Sequence, residues 1–130
     1  QCPVLVIGWG RIGKCLGQIL HALGADLTVA ARKDADRAIC RGLGYAAVDT
    51  ARVAESLGKY RLILNTAPEK LLTKEQLAQC HPDCVKIDLA SKTGMEDDSV
   101  IVARGLPGVH MPESSGRLIA ETYVRLCREE

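Results

Sequence analysis

Residues 3–32, PVLVIGWGRIGKCLGQILHALGADLTVAAR, leave few folds open to this chain. Pro3 to Ile7 is an apolar, β-branched run of the kind that forms a strand buried on both faces. Gly8, Gly10 and Gly13 follow with G-x-G-x-x-G spacing. Ile12, Cys15, Leu16, Ile19, Leu20 and Leu23 then recur at intervals of three and four, and Gly24 stands where a helix can end. A second strand over Leu27 to Ala30 completes the pattern. Strand, glycine turn, helix and strand make a parallel βαβ unit.

The glycines serve distinct purposes in such a unit. Gly8 allows the tight turn, Gly10 lets a pyrophosphate approach the backbone where a Cβ would stand, and Gly13 lets the helix pack close to the strand. N–H groups at the helix start face the anion. Gly8, Trp9, Gly10, Arg11, Ile12 and Gly13 are therefore candidate cofactor-binding residues. The competing reading is a βα turn that uses glycine for packing alone. The strand before the motif and the helix after it favour dinucleotide binding.

The end of the second strand bears on which dinucleotide. NAD-selective domains place an acid there for the ribose 2′-hydroxyl. Here Ala31 holds that place, and Arg32 and Lys33 follow. A planar guanidinium and an ammonium suit a 2′-phosphate, which an acid would repel. The expected cofactor is NADP, with NAD as the alternative. In that alternative both cations are solvated, and Asp34 serves the ribose or caps the next helix.

Further along, helix and strand signals alternate. Asp34 to Gly42 reads as a helix opened by an Asp cap, residues 45–48 as a short strand, and Thr50 to Leu57 as another helix. YRLILN leads a strand into Asn65, Thr66, Ala67 and Pro68, which are placed to position the cofactor. Thr73 and Gln76 have capping-box spacing. CVKIDLAS and VIVARGLPG supply two more strands, and a last helix from about Ser115 to Arg128 carries Leu118, Ile119, Thr122, Tyr123, Leu126 and Cys127 on its apolar face. This pattern predicts an α/β fold: a doubly wound parallel sheet, the Rossmann fold, with about six strands in the order 3-2-1-4-5-6. Residues 1–130 make one NAD(P)-binding domain. Ligands of such sheets bind at the carboxyl ends of the strands, where the strand order switches.

The charge balance, 17 Lys+Arg against 16 Asp+Glu, argues against nucleic-acid or anionic-membrane partners. No apolar run reaches membrane-spanning length and no signal peptide precedes the first strand, so the expected location is the cytoplasm. Cys15 and Cys127 fall on apolar helix faces as small core residues, and reduced thiols are expected. Cys80 and Cys84 flank His81 in CHPDC, but no second ligand pair completes a zinc-like set, so no metal is assigned.

The segments VIGWGRIGK, TVAARK, LILNTAP, IDLASKTG, GLPG and SGRLIAET, in this order, resemble the C-terminal nucleotide-binding half of the dipicolinate synthase A-subunit family. The resemblance covers nearly the whole chain, and IDLAS followed by GLPG is its more specific part. More distantly, the chain is similar to the corresponding domains of 2-hydroxyacid dehydrogenases and adenosylhomocysteinase. The resemblance implies oxidation of dihydrodipicolinate, or its hydroxylated precursor, to dipicolinate during bacterial sporulation. It implies hydride transfer to a pyridine nucleotide, with the dipicolinate synthase B-subunit as partner. It also implies an N-terminal substrate domain, so this chain is expected to be a fragment, inactive by itself. A dicarboxylate substrate needs cationic or N–H partners. Lys92, with Ser91 beside it, is the candidate contact, against a reading in which both shape a turn. His110 is in reach of an acid or base role, against the favoured reading of a bystander in a loop near proline, and Asp88 is placed to cap or orient a loop. A homo-oligomer is also expected to be possible. Alternative functions are another 2-hydroxyacid-type dehydrogenase, or a regulatory nucleotide sensor of the kind attached to potassium channels.

Overall fold

The computed structural model describes residues 2–69, 72–90, 95, 99–102 and 111–127. Each short β-branched run forms a strand, and the amphipathic segments between them cover the sheet. The elements are β1 (Pro3–Ile7), α1 (Arg11–Ala22), β2 (Asp26–Ala31), α2 (Asp34–Gly42), β3 (Ala46–Asp49), a 3₁₀ segment (Thr50–Lys59), β4 (Leu62–Asn65), α3 (Lys74–Leu77), β5 (Val85–Asp88), β6 (Val100–Val102) and α4 (Met111–Cys127). All five strand pairings are parallel. The sheet runs β3-β2-β1-β4-β5-β6, the doubly wound order the sequence predicts. The order reverses between β1 and β4, and the crevice this opens lies at their carboxyl ends.

Alternation along the strands feeds two cores. Val4, Val6, Val29, Leu62, Leu64 and Ile87 face α1, α2 and α4, where Leu16, Leu20, Cys40, Ile119 and Tyr123 meet them. Leu5, Ile7, Ala30 and Ile63 face the opposite way, toward Val53 and Leu57 of the 3₁₀ segment and Leu77 of α3. Central strands buried on both faces explain why β1 and β4 read as unbroken apolar runs.

Several sequence expectations are corrected. The N-cap of α2 is Lys33, with no side-chain cap, and Asp34 is the first helical residue, where it pairs with Arg37. An acid in the first turn stabilises the helix dipole without closing a cap bond. The helix expected over Thr50 to Leu57 is a 3₁₀ segment broken by non-helical geometry at Ser56 (φ −133°), whose hydroxyl donates to the Val53 carbonyl at 3.5 Å. Such local bonds compete with the helical ladder. The last helix begins four residues early, at Met111, because Pro112 fits a first turn whose N–H groups have no intrahelical acceptor. Cys2 is disulfide-bonded, against the expectation of reduced thiols, while Cys40 and Cys84 carry free thiols. Helical periodicity reports burial and carries no information on pairing. The capping box is as predicted: the Thr73 hydroxyl accepts from the Gln76 N–H at 3.2 Å, and the Thr73 N–H donates to Gln76 Oε1 at 2.9 Å.

Candidate nucleotide-binding cleft

The chain leaves β1 through Gly8, whose φ of +103° favours glycine and whose N–H donates to the Ala30 carbonyl at 2.9 Å. A Cβ on Gly8 would overlap the Thr66 hydroxyl, and one on Gly13 would overlap the Gly8 carbonyl oxygen. Strand, turn and helix thus meet backbone to backbone. Gly10 differs, since a Cβ there meets nothing within 4 Å. It is exposed and begins α1, where no side chain caps the helix and no acid stands in the first turn. Open space, uncapped N–H groups and the positive end of the helix dipole coincide at this point, as an anion requires.

A cavity of about 270 Å³ opens there. Gly8, Trp9 and Gly10 form one wall, and Ala31, Arg32 and Lys33 form the second, with Asp36. Thr66, Ala67, Pro68 and Glu69 form the third, and Thr50 also lines the cavity. The predicted glycine turn, the end of β2 and the loop after β4 are therefore brought to one place. Arg11, Ile12, Gly13 and Asn65 do not line the cavity: Arg11 is exposed, Ile12 packs against the core, and Gly13 is buried beneath Gly8. Ser91, Lys92 and His110 lie outside the described residues.

Asn65 requires a further correction. Its side chain is fully buried, donating to the Ala67 carbonyl at 3.1 Å and to Asp88 Oδ1 at 3.2 Å, while its Oδ1 accepts from the Ala67 N–H at 3.1 Å. It shapes the loop and has no exposed surface to offer a ribose. Asp88, equally buried, accepts from the N–H groups of Ala90 at 3.0 Å and Met95 at 3.3 Å. The two side chains tie the carboxyl ends of β4 and β5 together. Asp88→Ala is expected to destabilise the fold by roughly 2–4 kcal/mol, because it strands buried donors. Chemical denaturation checks this, and an unchanged midpoint would contradict it. Thr66 lines the cavity, and both its N–H and its hydroxyl donate to the Ile7 carbonyl at 2.8 Å.

No pattern in the sequence pointed to Arg37. Its guanidinium donates to the carbonyls of Ala31 at 2.7 Å and Arg32 at 2.9 Å, pairs with Asp34, and lies 3.8 Å from Asp49. This anchors the loop that presents Arg32 and Lys33. Asp34 faces Arg37 and is not part of the cavity wall, whereas Asp36 of the same helix lines it. Arg32 pairs with Glu69 across the cavity at 2.9 Å. Beyond that pair lies a second cavity of about 400 Å³, lined also by Asp49, Thr50, Ala51, Ala54, Leu72 and Gln76. Glu69, Thr50 and Asp36 were missed from sequence, although Glu69 directly follows the predicted Asn65–Pro68 loop.

In CHPDC, His81 Nδ1 accepts from the Asp83 N–H at 3.0 Å. The neighbouring Cys80 thiol and burial push the Cys84 thiol well above its usual range. Among the described residues no group of three His, Cys, Asp or Glu side chains converges on a point. No helix among them is long and apolar enough to cross a membrane.

No family model matches the sequence. The dipicolinate synthase A-subunit of Bacillus subtilis is 30% identical over 97% of this chain. The chain is homologous to the dipicolinate synthase A-subunit. Crystal structures of that protein from Bacillus subtilis and Bacillus halodurans, each 29% identical, superpose with TM-scores of 0.77 and 0.74 over 98% and 96% of the chain. The chain spans 45% of the length of the first of these relatives and 46% of each solved one. Sheet order and these superpositions together give it a fold of the Rossmann type.

Proposed function

We propose that this chain is the NADP-binding part of an oxidoreductase that converts dihydrodipicolinate, or its hydroxylated precursor, to dipicolinate. The observation that carries the cofactor reading is the open face of Gly10 against the uncapped start of α1, with Arg32 and Lys33 on the facing wall. The residues present fit a dinucleotide. Gly8 to Gly10 and the first turn of α1 hold the pyrophosphate, and Thr66 to Pro68 flank it. Arg32 and Lys33 take the 2′-phosphate. A bound oxidised NADP would supply the hydride acceptor for the two-electron oxidation of dihydrodipicolinate, whose remaining proton is released; the hydroxylated precursor would in addition lose water. The substrate class and the expectation of a partner, the B-subunit, come from homology to the dipicolinate synthase A-subunit. Lys92 and Ser91, after β5, are proposed to face a substrate carboxylate.

The cofactor assignment is tested at the end of β2. Replacing Ala31 with Asp and Arg32 with Gln removes a guanidinium and restores an acid. Charge-assisted hydrogen bonds contribute about 1.5–3 kcal/mol, so the swap is expected to shift the NADP-to-NAD preference by roughly 10- to 150-fold. Parallel calorimetric titrations read it directly. Unmodified protein that binds NAD at least as tightly as NADP would overturn the reading.

A further inference from the structure

The cation assigned to the 2′-phosphate already has a partner. Arg32 Nη1 stands 2.9 Å from Glu69 Oε1, and both residues line both cavities, so their ion pair sits between the two and spans from the end of β2 to the loop after β4. With Lys33 and Asp36 on the same walls, the described residues that line the cleft include two cations and two carboxylates. Among these described residues each charge has a counter-charge before any ligand arrives. A 2′-phosphate that takes the Arg32 Nη1 donor must displace Glu69, and at any edge of the guanidinium it lies near a carboxylate that repels it.

We propose that Glu69 is a specificity-determining residue: it latches Arg32 across the empty cleft and competes with the 2′-phosphate for it. The inference rests on the NADP reading above. The pair is built to open, because the Arg32 and Glu69 side chains are 69% and 46% exposed, and an ion pair so open to water is weak and screened by salt. A ligand phosphate carries more charge than a carboxylate and accepts more hydrogen bonds from a guanidinium, so it wins the exchange. Glu69 lowers the advantage of NADP over NAD without abolishing it. The neighbouring charges act in opposite senses. Lys33 favours the phosphate whether the latch is open or closed, and Asp36 opposes it in both states.

Calorimetric titration of the full chain with NADP and with NAD, at low and moderate salt, tests the latch in wild type, Glu69→Gln, Arg32→Gln and the double variant. A control is Glu55→Gln, which removes a carboxylate from the exposed Arg52–Glu55 pair outside the nucleotide cleft. Glu69→Gln is expected to tighten NADP about fivefold, more at low salt, and to change NAD binding less than twofold. The gain should vanish when Arg32 is also Gln, and Glu55→Gln should be inert. An NADP affinity unchanged by Glu69→Gln, in a protein that prefers NADP and loses that preference with Arg32→Gln, would overturn the latch and leave the cofactor reading standing. Weakened NAD binding in Glu69→Gln would overturn it too, assigning Glu69 to the ribose hydroxyl. Equal affinity of wild type for NADP and NAD, insensitive to Arg32→Gln, would remove the cofactor reading and the latch together.

Discussion

Gly13→Val is expected to destabilise the domain by more than about 3 kcal/mol, a large part of the 5–15 kcal/mol typical of a whole domain. A Cβ at this position overlaps the Gly8 carbonyl oxygen and comes within 3.0 Å of the Gly8 carbonyl carbon. The obstacle is backbone, so no rotamer change relieves it. Relief requires α1 to move away from β1, which would unseat Leu16 and Leu20 from the larger core. Gly13→Ala, which places the same Cβ, should show most of the effect. Urea denaturation followed through the single tryptophan, Trp9, measures it. A wild-type midpoint for both variants would mean that α1 accommodates the Cβ by a small shift.

Gly10→Val is expected to do the opposite, leaving stability within about 0.5 kcal/mol of wild type while weakening nucleotide binding by roughly 10- to 150-fold. The backbone at Gly10, φ −89° and ψ −160°, is extended and open to a β-branched residue, and its Cβ direction is empty. The added side chain occupies only the space assigned to the pyrophosphate. It blocks the approach to the N–H groups of the first turn, and little else changes. Two glycines three residues apart therefore separate folding from binding. Calorimetry with NADP checks the affinity and denaturation the stability; equal affinity in wild type and Gly10→Val would remove the pyrophosphate site from this turn.

Most of the architecture was legible because its causes are local. Apolar runs and helical spacing within about thirty residues set β1, α1 and β2, and β1 spans the predicted Pro3–Ile7. Thr73 and Gln76 lie one turn apart, so their reciprocal bonds can be read from spacing alone. Boundaries were less legible where a local rule admits two outcomes. Asp34 satisfies the preference for an N-cap and equally that for an acid in the first turn, and it adopts the second.

Within the cleft, residue type and spacing were enough to specify the glycine turn, the missing acid at Ala31 and the place of these features at the carboxyl ends of parallel strands. Each follows from steric limits on the backbone and the handedness of βαβ crossovers, which act over a short stretch of chain. Which polar side chains are free for a ligand emerged only on folding. Asn65 and Asp88 are 23 positions apart, and their bond exists only because β4 and β5 are neighbours in register. Arg32 meets Glu69 only because the ends of β2 and β4 flank one crevice, and Arg37 commits its guanidinium to loop carbonyls rather than to the cleft. A hydrogen bond or ion pair depends on distance through space, which sequence spacing does not encode once the partners sit on different strands.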